Sequence, residues 1–259
     1  MLSDHRNASN GSHHHSSTKR VVFTMGGKGG VGKTGVSLAL ADWYDARQIP
    51  FVPLDLDFEN KAVGSLKHYF PDAQKITIHT DAGLDVFPTI LADSQAHIIL
   101  ADMGGGAGEV TYQWFQFMHD DLSSLGISFT AIGVITPDPA SVESVLTWAS
   151  NLQDRVHYLI IENSNSPNPD FTYWRQSKEA QLFRDSFHPT ILSMEFRLPE
   201  LERIARQQGV TLRRIGSKSA SVAQQIQIAH VIRAQRYTQR FAALLDTAEN
   251  LLLPLSQLV

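Results

Sequence analysis

The chain has 259 residues, 42% of them apolar and 9% aromatic, and a formal net charge of −4. These values suit an ordinary soluble globule with a sizeable core, and the length allows a single α/β sheet. No cysteine is present, which excludes disulfides and thiolate metal sites and fits a reducing compartment. No run of about 18 apolar residues is present either, so no transmembrane helix is expected.

Met1 to Ser17 are rich in Ser, Asn and His, include His13-His14-His15, and carry no periodicity. Residues 1–18 are therefore expected to lie outside a single domain spanning 19–259. The apolar run Val21-Val22-Phe23-Thr24-Met25 predicts a strand, and Val36 to Tyr44 an amphipathic helix. Between them stands Gly26-Gly27-Lys28-Gly29-Gly30-Val31-Gly32-Lys33-Thr34, followed by Gly35. Strand, glycine loop and helix are the context that makes G-x-x-x-x-G-K-T a phosphate-binding loop. Glycines let backbone N–H groups close around phosphate oxygens, and the helix start adds its positive dipole end. Lys33 would reach the β- and γ-phosphates, and the Thr34 hydroxyl would sit on Mg²⁺.

The early lysine, Lys28, makes this loop resemble the deviant Walker A motif of the ParA/MinD family of P-loop ATPases. That resemblance implies that Lys28 reaches across an ATP-sandwich homodimer to the partner's nucleotide.

Pro50 to Leu56 predicts a second strand, ending in Asp55-Leu56-Asp57-Phe58-Glu59-Asn60. Carboxylates at a strand end beside a phosphate loop manage Mg²⁺ and the attacking water. The segment resembles the family's second Asp-rich motif at Asp55 and Asp57, but Phe58-Glu59-Asn60 departs from it. Asp57 is assigned to the water and Asp55 to the metal shell, and the two roles are exchangeable at this stage. Between Lys61 and Ser94 the pattern gives a short helix ending near Phe70 and a short strand at Ile76 to His79. Val86 to Ala92 reads as a helix interrupted at Pro88.

His97 to Asp102 predicts a third strand closed by an aspartate, the Walker B pattern, so Asp102 would hold Mg²⁺ through water. Met103-Gly104-Gly105-Gly106-Ala107-Gly108 suits a loop that moves when the γ-phosphate leaves. Glu109 to Leu125 and Ser141 to Leu152 read as helices, Phe129 to Thr136 and His157 to Asn163 as strands. Asn163 resembles the family's adenine-reading asparagine; an Asn capping a turn fits the same position. Pro167 to Tyr173 reads as a loop, Gln176 to Phe187 as a helix and Thr190 to Phe196 as a sixth strand. Pro199, after that strand, resembles the family segment that packs on adenine. Glu200 to Gln208 and Ser221 to about Leu253 read as helical.

From Arg197 onward there are nine Lys/Arg against four Asp/Glu, so a basic C-terminal part sits on an acidic remainder. Arg213, Arg214 and Lys218, expected in a polar loop, and Arg233 and Arg236 on a helix make a candidate surface for non-specific DNA. The last helix places Phe241, Leu244, Leu245, Leu251 and Leu252 on one face but has no lysine. It is expected to pack on the sheet rather than on lipid.

The expected fold is a doubly wound, mostly parallel sheet flanked by helices. The resemblance implies a cytoplasmic, Mg²⁺-dependent ATPase that dimerises on ATP, binds DNA or a partner, positions a cargo, and depends on an activator or adaptor protein. A metabolic P-loop enzyme of the dethiobiotin synthetase or amidotransferase type and a MinD-like membrane-associated ATPase are the alternatives.

Overall fold

Every residue from Arg20 to Met25 is buried, so the first strand is covered on both faces, as apolar runs in parallel sheets are. The computed structural model describes residues 18–56, 63–105, 108–217 and 226–254. It places seven strands in one sheet: β1 (Lys19–Met25), β2 (Phe51–Leu56), β3 (Gln74–Lys75), β4 (Ile98–Met103), β5 (Ile127–Ile135), β6 (His157–Asn163) and β7 (Thr190–Met194). Their order is β3-β2-β4-β1-β5-β6-β7, and every pairing is parallel. The chain winds outward one way to β3, returns through β4, then continues on the far side of β1. Strand order reverses at β1, the switch point where α/β sheets open a crevice at the strand C-terminal ends.

The period of two along β1 divides the core. Val21, Phe23 and Met25 face one cluster, with Trp114, Phe115, Trp148 and Phe183. Val22 faces the other, with Val36, Leu40 and Tyr44 of α1 (Lys33–Ala46). The first face is covered by α4 (Val86–Asp93), α5 (Glu109–Ser124), α6 (Pro139–Leu152) and α8 (Lys178–Phe187). The second is covered by α1 and by α11 (Ile228–Asp246), whose Tyr237, Phe241 and Leu245 enter the core. Leu252 of α12 (Glu249–Leu252) is fully buried there too. The apolar face of the last helices is thus spent on the sheet. A smaller cluster joins Leu201 and Ala205 of α9 (Pro199–Gln208), Ile215 of α10 (Leu212–Gly216), and Val231 and Ala234 of α11.

Four expectations are corrected. Among the described residues the edge strand is Gln74–Lys75, not Ile76 to His79; it pairs with Leu54 and Asp55 of β2, and the Ile76 N–H bonds Asp55 O. Ile76 and Ile78 are still buried. Pro88 does not interrupt α4, because it lies in the first turn, where its missing N–H has no helical acceptor to lose. Tyr173 belongs to the short helix α7 (Thr172–Gln176) rather than to a loop. Arg213 and Arg214 lie on α10, which starts because the Thr211 hydroxyl accepts the Arg214 N–H. The remaining short helices are α2 (Leu66–Tyr69) and α3 (Asp81–Leu84).

Candidate functional site

The loop after β1 curls because Gly26, Gly30 and Gly32 take positive φ values of 105°, 76° and 98°, where a Cβ would be strained. Gly32 caps α1, and the first ladder bond runs from Val36 N to Gly32 O at 3.0 Å. The N–H groups of Lys33, Thr34 and Gly35 therefore have no helical acceptor and, with the helix dipole, form an anion site. Gly27, Gly29, Gly30 and Val31 complete the loop.

Lys33 is nearly buried and folds back so that Nζ donates to Lys28 O at 2.8 Å. Lys28 stands at the exposed mouth, its Nζ 3.5 Å from Asp138 Oδ2. The same mouth is tied to α6, since Ser144 Oγ accepts from Gly27 N at 2.7 Å and Lys28 N at 3.1 Å.

Asp102, next to last in β4, turns its side chain toward α1: Oδ1 accepts from Ser37 Oγ at 2.8 Å and from Thr24 Oγ1 at 3.5 Å. Ser37 is three residues beyond Thr34, so both hydroxyls share one side of the helix. Asp55 is the register partner of Asp102 on β2 and is fully buried. Its Oδ2 accepts the Lys67 N–H at 3.0 Å, capping the first turn of α2. Asp57, Phe58 to Asn60, Gly106, Ala107 and Lys218 lie outside the described residues.

Asn163, at the end of β6, is buried and donates Nδ2 to Val31 O at 2.8 Å. A Cβ on Gly32 would stand 2.4 Å from that amide, so Asn163 braces the loop from the side. Pro199, the first residue of α9, is exposed on the wall of the same cavity. The cavity is about 900 Å³ and runs from the phosphate loop past Asn163, Arg197 and Tyr237 to Asp42 on α1. Burial pushes the Asp42 carboxyl up to about 6, partly offset by the Thr211 hydroxyl, which donates at 2.7 Å, and by the Arg213 N–H.

Sequence reasoning missed Ser37, Asp42, Ser144, Arg197 and Tyr237. Asp42 and Ser37 carried a usable signal, polar residues on the buried stripe of α1. The others belong to distant elements that only the fold brings to the loop.

Arg213 and Arg214 are exposed on α10, and Arg233 and Arg236 are exposed on α11. Those helices cross closely: a Cβ on Gly216 would stand 2.8 Å from the Gln235 backbone. None of the four arginines has a carboxylate within 4.0 Å among the described residues, whereas Arg203 pairs with Glu200 and Arg240 with Glu195. No helix among the described residues is long and apolar enough to cross a membrane.

A glycine loop closing over a helix start, at the switch point of a parallel sheet and with a strand-end aspartate beside it, defines a phosphate-loop nucleotide-binding domain. The model of the CobQ/CobB/MinD/ParA nucleotide binding domain matches residues 22–259, and the chain belongs to that family. Among solved structures it is similar to the MinD cell division protein of Aquifex aeolicus, with a TM-score of 0.49 and 15% identity over 84% of this chain and 95% of that one. The MinC:MinD cell division protein complex of the same organism matches with the same values. Chloroplast FtsY from Physcomitrella patens matches at a TM-score of 0.40 and 13% identity, over 56% of this chain and 50% of that one. No curated protein matches.

Proposed function

We propose that the protein is a ParA-type ATPase that dimerises on ATP, binds DNA without sequence preference, and is released by hydrolysis to position a cargo. The observation that carries this reading is the place of Lys28. Its ammonium sits at the exposed mouth of the loop, paired among the described residues with the half-exposed Asp138, from which it can turn toward a second copy's nucleotide. Lys33 would swing from Lys28 O onto the β- and γ-phosphates when these arrive.

Thr34, Asp102 and Asp55 offer oxygen donors only, the set that suits Mg²⁺ shared with phosphate oxygens. The ion would neutralise charge on the transferring phosphoryl group. Asp102 is held toward the helix by Ser37, and Asp55 has its own cap to keep at α2. Of the two, Asp102 is the better metal residue, and Asp57 keeps the role of orienting the water. Hydrolysis resting on one such aspartate would be slow until an activator protein supplies further charge.

The exposed arginines on α10 and α11 support DNA as the partner surface, since dimerisation doubles a patch that reads phosphates. The buried face of the last helices argues against lipid. A cytoplasmic location follows from this reading.

The test is binding to non-specific duplex DNA by wild type and Asp57→Ala, each with ATP, with ADP and without nucleotide, over a salt series. Binding only with ATP, kept in Asp57→Ala and falling steeply with salt, is the expected result. Dimerisation on ATP without DNA binding would leave the switch and remove the DNA. A second reading, a small-molecule P-loop enzyme, is favoured by the extension of the cavity to Asp42. Turnover that requires an added small substrate and ignores DNA would select it.

A further inference from the structure

Arg197 follows β7 and is largely buried, with its side chain 10% exposed. Its contacts leave one nitrogen idle. Nε pairs with Glu202 Oε1 at 2.8 Å, and Nη1 lies 3.2 Å from both the Tyr237 hydroxyl and Met194 Sδ. The guanidinium also stands over the Tyr237 ring, 5.6 Å from its centroid. Nη2 donates to no acceptor among the described residues. Arg197 borders the cavity, so Nη2 is open to an anion that enters there, and a charged acceptor would hold it more strongly than water.

Nη2 faces the phosphate loop. A Cβ on Gly35 would stand 3.2 Å from Nη1 and Nη2, and one on Gly32 3.8 Å from Nη2. The absence of a side chain at Gly35 is therefore what admits the guanidinium against the first turn of α1. Lys33 and Thr34 serve the outer phosphates, and Gly35, which follows them, shares the Arg197 guanidinium with Gly32, the glycine beside the Asn163 amide at the cavity wall. The phosphate nearest Gly35 is thus the one nearest the nucleoside.

We propose that Arg197 donates through Nη2 to a non-bridging oxygen of the α-phosphate, making it a nucleotide-binding residue that the loop motif does not contain. Glu202 and Tyr237 hold the guanidinium plane so that Nη2 points at that oxygen. The contact is independent of the γ-phosphate, so Arg197 serves ATP and ADP equally and retains product as firmly as substrate. The inference rests on the reading of the glycine loop as a nucleotide site.

The test compares ADP with the two α-thio diastereomers of ADP, without divalent cation, binding to wild type, Arg197→Lys and Arg197→Gln, with thermal unfolding in parallel. Wild type should prefer one diastereomer, because sulfur accepts poorly in place of the contacted oxygen. Arg197→Gln should bind ADP about tenfold to a hundredfold more weakly, the scale of one charged hydrogen bond, and lose that preference. Arg197→Lys, which keeps the charge but not the fork, decides by the diastereomer ratio alone if the glutamine variant does not fold. Weaker ADP binding with the ratio intact would mean that Arg197 acts only by packing on Glu202 and Tyr237, and overturns the proposal. So would unchanged affinity and ratio. No nucleotide binding by folded wild type would defeat the nucleotide-site reading itself, and the proposal with it.

Discussion

Lys28 Nζ lies 3.5 Å from Asp138 Oδ2, and Asp138 is also the residue that caps α6 by accepting the Ala140 N–H at 3.0 Å. One side chain thus holds both a helix start and the loop's outer lysine. The ion pair is half exposed on both sides and contributes under about 1 kcal/mol, and the cap contributes about 1 kcal/mol. Asp138→Ala should lose roughly that cap energy in urea unfolding. Its ATP-dependent dimer, followed by sedimentation, should form at lower protein concentration, because Lys28 no longer has to leave a partner. Lys28→Ala should keep ATP binding and lose the dimer.

Ser144 Oγ is the single acceptor for two consecutive loop amides. Ser144→Ala should leave the unfolding midpoint within a few degrees while weakening ATP binding by about three- to tenfold, as expected for a hydrogen bond that preorganises the loop. Equal affinity in a titration would show that the loop finds its shape without α6.

Asp102→Asn keeps the size and the acceptor for Ser37 but removes the charge. ATP binding without metal should be little changed. The gain in affinity on adding Mg²⁺ should shrink by at least tenfold, read from paired titrations with and without the ion.

Asp42 predicts an inverse dependence of stability on pH. Its folded-state pKa, about 6, lies above the ordinary 3.8 because burial disfavours the charge. The folded chain then binds a proton that the unfolded chain has released, so this group's contribution is fully present below about 4 and is lost as pH rises through about 6. Asp42→Asn should abolish that slope. By the size of the shift, it should raise stability at pH 7.5 by up to about 3 kcal/mol, read from denaturation curves at a series of pH values.

Gly216 packs against the Gln235 backbone with no room for a methyl group. Gly216→Ala should cost about 1–3 kcal/mol by forcing α10 from α11. It should also weaken DNA binding by separating the two arginine pairs. Arg233→Ala with Arg236→Ala should weaken DNA binding without lowering stability and should flatten its salt dependence by roughly two counterions.

Much of the site can be read along the chain because its chemistry is local. Gly26 to Gly35 must be consecutive for their amides to converge, and Asp102 must end its strand to face them. Asp55 shows where such reading stops: at a matching strand end, its carboxylate also caps α2 through the Lys67 N–H, a contact set by where α2 packs. The Ile76 to His79 pattern alternates as a strand should, yet the described strand is Gln74–Lys75, because pairing is set by the neighbour, here Leu54 and Asp55 of β2, and not by alternation.

The sequence by itself determined the parallel α/β class, through apolar runs buried on both faces, and the nucleotide loop, through glycine conformations that few other sequences permit. Only the tertiary structure decided what surrounds that loop: Ser144 beneath its mouth, Asn163 at its side, and Arg197 with Tyr237 over the start of α1. Each of these comes from a separate crossover. Their approach depends on strand order and helix packing, which act between segments distant in the chain and leave no fixed spacing to read.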